Sequence, residues 1–97
     1  MYNMPMDNSH VKLSEFSQHL TSTDLARALR SRVQNGKITF DFSGIESVSV
    51  IFFEELFGKL LEAYGEEMFS EHVGWTGLSM GQNQMLMDVL SKHKHKR

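Results

Sequence analysis

A change of hydrophobic period near Gly44 limits this chain's options more than anything else in it. Ile38-Thr39-Phe40-Asp41-Phe42 alternates, with Ile38, Phe40 and Phe42 on one side and Thr39 and Asp41 on the other. Aromatic and β-branched residues dominate, which suits an interior strand. Ser43-Gly44 ends that pattern. From residue 50 the period becomes helical. Phe53, Leu56, Phe57, Leu60, Leu61 and Tyr64 follow at steps of 3, 1, 3, 1 and 3, with Phe52 extending the stripe. A strand feeding a helix is half of a βαβ unit, and ligands or partners of such sheets sit where strand ends meet helix starts.

The rest of the chain extends the same alternation. Residues 10–13 alternate and predict a short first strand. Residues 15–20 read as a loop that gives Phe16 and Leu20 to the core. Thr21 and Asp24 have capping-box spacing, with an acid in the first turn. Leu25, Leu29 and Val33 then recur every four residues, and Asn35-Gly36 supplies a helix stop. Residues 45–49 cross to the 50–64 helix, which Gly65 closes. Phe69, Val73 and Trp75 alternate with Ser70, His72 and Gly74, predicting a strand over 68–75 that its glycines weaken. Ser79 and Gln82 match a capping box, and Met85, Leu86, Val89 and Leu90 form the apolar face of a last helix. The order β-α-β-α-β-α predicts an α/β fold with helices packed on a small, largely parallel sheet.

The chain has 97 residues, enough for one domain, and a chain of this size buries roughly two-thirds of its unfolded surface. The expected division is a flexible segment over 1–9, one α/β domain over 10–92, and a basic tail over 93–97. There are no cysteines, which excludes disulfides and cysteine-ligated zinc and fits a reducing, cytoplasmic setting. A net charge of -2 argues against a protein built around a phosphate backbone. The first nine residues lack the basic and apolar regions of a signal peptide, and no apolar run reaches the length of a membrane span. Seven Met and seven Phe supply large, adaptable core side chains.

Asp41-Phe42-Ser43-Gly44-Ile45 at a strand end, followed by a helix bearing Glu55-Leu56-Phe57-Gly58-Lys59-Leu60, resembles the STAS-like family of unknown function. Phe16, Leu20 and the Ala26-Arg27 pair add to the resemblance, which spans residues 16–90. Members look like relatives of STAS domains, the class that includes anti-sigma-factor antagonists. The resemblance implies a small α/β domain that works by docking onto a partner. In the antagonists that partner is a kinase with a histidine-kinase-like ATPase fold, and phosphorylation of a serine at a helix start breaks the complex. The antagonists' Asp-Ser-Ser-Gly segment falls here on Ser49-Val50-Ile51-Phe52. The modified serine falls on Ile51 and the one before it on Val50. Ser47 and Ser49 remain, but a shift of two residues at a helix start turns a side chain by about 200°.

Other chemistry is weakly signalled. Asp41 and Ser43 read first as turn residues bonding nearby backbone, with a polar strand-end site as the alternative. Glu54 and Glu55 are adjacent on a helix and so do not share a face for acid/base work. Their place near the helix start suits its dipole. The five histidines show no metal spacing, and no glycine-rich phosphate loop is present. Trp75 reads as core before interface anchor. Arg27, Arg30, Arg32 and the basic tail are a weak nucleic-acid signal without interleaved aromatics.

The expected function is a non-enzymatic, protein-binding regulatory module needing no cofactor or metal. Its partner-binding surface is expected at Asp41, Ser43, Ser47, Ser49, Val50 and Ile51, with Val50 and Ile51 as buried contacts. The expected partner is an ATPase- or kinase-like protein. The alternative is a stand-alone inhibitor from a phage or mobile element that blocks a host defence complex. Nucleic acid and membrane are not expected partners. A homodimer through an exposed sheet edge or the Ile51 patch is the remaining form of association.

Overall fold

A computed structural model describes residues 8–33 and 37–94. β1 (Asn8–Lys12), β3 (Lys37–Asp41) and β5 (Val73–Thr76) form a three-stranded parallel sheet with β3 in the middle. A second, two-stranded parallel ladder joins β2 (His19–Leu20) to β4 (Ser47–Val48). The helices are α1 (Thr23–Arg30), α2 (Val50–Phe53), α3 (Lys59–His72) and α4 (Met80–Lys94). α2 runs through a π-helical turn, Glu54–Gly58, into the part of α3 that precedes Gly65. The α/β architecture with helices packed on a parallel sheet is therefore as the alternating pattern predicts.

The alternation in β3 decides which side of the sheet is covered. Ile38, Phe40 and Phe42 are buried, and their neighbours Val11 and Val73 are buried with them. Phe57 stands at the centre of this layer. Its ring meets Phe40 at 5.6 Å, Trp75 at 5.3 Å and Phe69 at 6.3 Å, mostly edge to face. Edge-to-face geometry places ring edges on π faces and adds about 0.5–1.5 kcal/mol per pair beyond burial. Trp75 is thus a core-facing residue, half-buried against Phe57 and Phe69.

The structure corrects several local expectations. Ser22, not Thr21, caps α1, its hydroxyl accepting the Leu25 N–H. Adjacent hydroxyl residues offer the same capping chemistry, so the pattern alone leaves a one-residue ambiguity. The first strand starts at Asn8, inside the segment expected to be a flexible lead-in, and Leu13 belongs to a 3-10 turn instead. Phe16 is not core: half its surface is exposed. Residues 68–72 are helical rather than strand, so β5 is only four residues long. Phe69 and Val73 are four apart, a spacing that fits both a strand's period of two and a helix's i,i+4. Gly65 does end a helix, with φ at 84°, but a new helical segment resumes after it. His93 is not part of a loose tail. It lies in α4, its ring against Gly58 and its Nδ1 on the Glu62 carboxylate. The Asn35-Gly36 stop falls outside the described residues.

Candidate functional site

The site begins where β3 ends. Asp41 Oδ1 accepts the Ser43 N–H at 2.9 Å, closing a turn of the kind its residue type favours. That backbone hydrogen bond, helped by the Ser43 hydroxyl, holds the Asp41 carboxyl below its usual range. Burial opposes the shift, and the charges of His10 and Lys12 add to it. Gly44 follows with φ at 81°, a conformation that costs an L side chain strain. The turn chemistry expected of Asp41 and Ser43 is present.

A second glycine presses on this turn. Gly77, after β5, has φ at 81°, and a Cβ there would stand 2.5 Å from the Ser43 nitrogen and 2.7 Å from its hydroxyl. The Phe42 N–H donates to the Thr76 carbonyl at 2.8 Å, so the chain leaving β5 is bonded to the chain leaving β3. α4 then starts with the reciprocal Ser79–Gln82 capping box, and Gln82 also reaches back to the Ile45 carbonyl.

The 45–49 crossing is more ordered than a linker. Gln18 O accepts from Glu46 and Ser47, and Leu20 O accepts from Ser49, which makes the β2–β4 ladder. Ser47 and His19 are register partners, and Ser47 Oγ lies 2.8 Å from His19 Nδ1. Glu46 is 4.0 Å from the other ring nitrogen of His19. All three side chains are exposed. Ser49 is the N-cap of α2, its hydroxyl accepting the Phe52 N–H at 3.1 Å.

Val50 and Ile51 open α2 in solvent, 43 % and 50 % exposed, while Phe52 and Phe53 beside them are fully buried. The flanks of this step are charged. One turn on from Val50, Glu54 pairs with Lys92 of α4 at 2.8 Å. One turn on from Ile51, Glu55 takes the Arg30 guanidinium on both its carbonyl and its carboxylate, with Arg27 at 3.9 Å. The two acids thus serve opposite neighbours, α4 and α1. A recess between them is lined by Glu54, Glu55, Lys59, Lys92 and His93.

The six expected residues therefore divide into three groups. Asp41 and Ser43 form the strand-end turn, Ser47 joins His19, and Ser49 caps the helix that presents Val50 and Ile51. His19 and Gly77 escape a reading of the sequence because their partners lie 28 and 34 residues away. Only the parallel register of two-residue strands brings His19 to Ser47. Among the described residues no group of three His, Asp or Glu is placed to hold a metal ion. No helix among them is long and apolar enough to cross a membrane.

A protein-family model, described as a STAS-like domain of unknown function, matches residues 24–82. The match runs from α1 through the capping box of α4, so it includes the strand-end turn, the 45–49 crossing and the start of α2. Comparison with curated proteins and with solved structures returned no match.

Proposed function

Since the chain belongs to the STAS-like domain family, we propose that it is a non-enzymatic regulatory module that docks onto a partner protein through the first turn of α2. The observation that carries this reading is the pair Val50 and Ile51. Two adjacent apolar side chains are held out in solvent by a capped helix whose next two residues are fully buried. Exposed single hydrophobes need no explanation, but a rigid pair at a helix start is a ready contact. Covering what remains exposed of each contributes about 1 kcal/mol. Together that is roughly a thirtyfold gain in affinity. Ser43, Ser47 and His19 supply hydrogen-bonding groups on the same loop system. The partner suggested by the resemblance to STAS domains is an ATPase- or kinase-like protein.

With Val50 and Ile51 in place of serines, phosphorylation at this step is not the release mechanism. The module holds its partner by occupancy, and release depends on concentration or on the partner's own state.

The test is an affinity capture from the native host with the wild-type chain beside the Val50→Asp/Ile51→Asp variant, followed by mass spectrometry. A protein recovered only by the wild type, with the variant's circular dichroism and melting temperature unchanged, supports the reading and names the partner. Equal recovery by both moves the interface elsewhere. Loss of the fold in the variant means that these residues serve the core.

A further inference from the structure

The three-stranded sheet has a second face that no described helix covers. Register places His10 and Lys12 of β1 beside Thr39 and Asp41 of β3, with Lys37 of β3 and Gly74 and Thr76 of β5 on the same side. The glycine confirms this sharing: a Cβ on Gly74 would meet Thr39 Oγ1 at 3.5 Å and Lys37 Cε at 3.6 Å. His10, Lys12, Lys37 and Thr76 are exposed, and Thr39, Asp41 and Gly74 are only part-buried. Parallel sheets almost always have both faces covered. Among the described residues this one is bare on one side, and the bare side is polar with a cationic excess. Lys12 and Lys37 oppose one aspartate that is already committed to Ser43.

The acidic counterpart is on the same molecule but on another part of it. After the break at Gly65, the last stretch of α3 carries Glu66, Glu67 and Glu71, all exposed and with no cationic partner among the described residues. Glu67 and Glu71 are one turn apart on a common side, and Met68, 46 % exposed, lies next to them. The segment 66–72 is about 10 Å long. The bare face spans five residues of strand, about 16 Å, and three strands, about 10 Å between the outer two. A single short helix fits across it.

We propose that the chain self-associates by laying the 66–72 helical segment of one copy on the bare sheet face of a second. Glu67 and Glu71 face Lys12 and Lys37, and Met68 packs over Gly74 and Thr39. A helix on the open side gives the parallel sheet the second cover that the described residues do not supply. The two surfaces differ, so the contact is head to tail and closes as a reciprocal pair or a ring, or extends as a chain. Exposed ion pairs dominate it, so the association is weak and salt-sensitive. The docking step of Val50 and Ile51 lies on the helical side, and this inference stands apart from it.

Sedimentation of the full chain over a range of concentrations tests this. Wild type is expected to associate at low salt and to dissociate near 1 M salt, where screening acts within about 3 Å. Lys12→Glu/Lys37→Glu and Glu67→Lys/Glu71→Lys are each expected to weaken association about tenfold or more. An equimolar mixture of the two variants is expected to associate again, because the reversed charges now match between copies in both directions. Val50→Asp/Ile51→Asp is expected to leave association unchanged. Circular dichroism confirms that each variant is folded. A wild type that stays monomeric at low salt overturns the proposal, including when its sheet face instead retains an acidic protein or a nucleic acid. So does association that neither charge reversal weakens, or a mixture that fails to recover it.

Discussion

The two residues that open α2 and the apolar residues that follow them along the helix are of the same kind and end in opposite environments. Val50 and Ile51 stand in solvent, whereas Phe52, Phe53, Leu56 and Phe57 are sealed. All six are apolar, so hydrophobicity does not separate them. The difference arises from rotation about one helix axis. Residues on the arc facing β3 and β5 meet Phe40, Phe42 and Trp75, and the two residues before that arc meet water. An apolar residue on a helix is therefore evidence of core only when its angular position is known. Where that position points outward on a capped, rigid turn, it is evidence of a contact surface.

The strongest way to break this contrast is to hollow out the sealed side. Phe57→Ala removes the ring that touches Phe40, Phe69 and Trp75, and is expected to cost about 3–5 kcal/mol. In denaturant unfolding that loss leaves a chain of this size marginal or unfolded. The double aspartate variant of Val50 and Ile51 is expected to change stability by no more than about 0.5 kcal/mol each, as surface substitutions do. Similar losses in the two variants would erase the distinction between the regions.

The next effect bears on the turn at the end of β3. Gly77→Ala is expected to destabilise by about 1–3 kcal/mol, combining a disfavoured φ with a methyl forced against the Ser43 backbone. Its chemical-shift changes should centre on residues 41–45 as well as on residue 77. Ser49→Ala removes the hydroxyl that accepts the Phe52 N–H. It is expected to cost about 1 kcal/mol and to speed amide exchange at Phe52.

The smallest effect is the pH dependence of the strand end. Asp41 has a lowered pKa in the folded chain, so its ionised form contributes stability above the unfolded value of about 4. That contribution fades as pH falls through the folded value. Asp41→Asn keeps the turn acceptor and removes the charge. The difference in stability between wild type and Asp41→Asn should favour wild type near neutrality and vanish in strong acid. A difference that persists unchanged in acid would trace the effect to packing rather than to charge.

Much of the fold was legible because its periods are unmixed. Ile38 to Asp41 has a strand's alternation, 53–64 has a helix's, and Ser79 with Gln82 announces a helix start by a local, reciprocal pair of hydrogen bonds. The failures were places where one pattern serves two structures. Phe69 and Val73 fit helix and strand alike, and Thr21 and Ser22 offer the same cap. For the candidate site, the turn at Asp41 and Ser43 was legible because it is local. The His19–Ser47 contact and the Gly77 approach were not, because each depends on where a distant segment lies. The open second face of the sheet was half legible. Lys37, Thr39 and Asp41 alternate with buried residues, but nothing in the pattern shows that no described helix covers the polar side.

The π-helical turn over Glu54–Gly58 has a further consequence for how the chain tolerates changes in length. At its end the Lys59 N–H reaches the Glu54 carbonyl, five residues back, so the turn holds one residue more than an α-helix needs. Losing one residue inside it restores ordinary helix without rotating Val50 and Ile51 relative to Leu60 and Leu61. Losing one residue on either side of it turns the two flanks by about 100° against each other. Single-residue deletions scanned along 50–64 should therefore be accepted at one short window and rejected around it. That window marks where the outward-facing step and the core can be uncoupled in length while staying locked in direction.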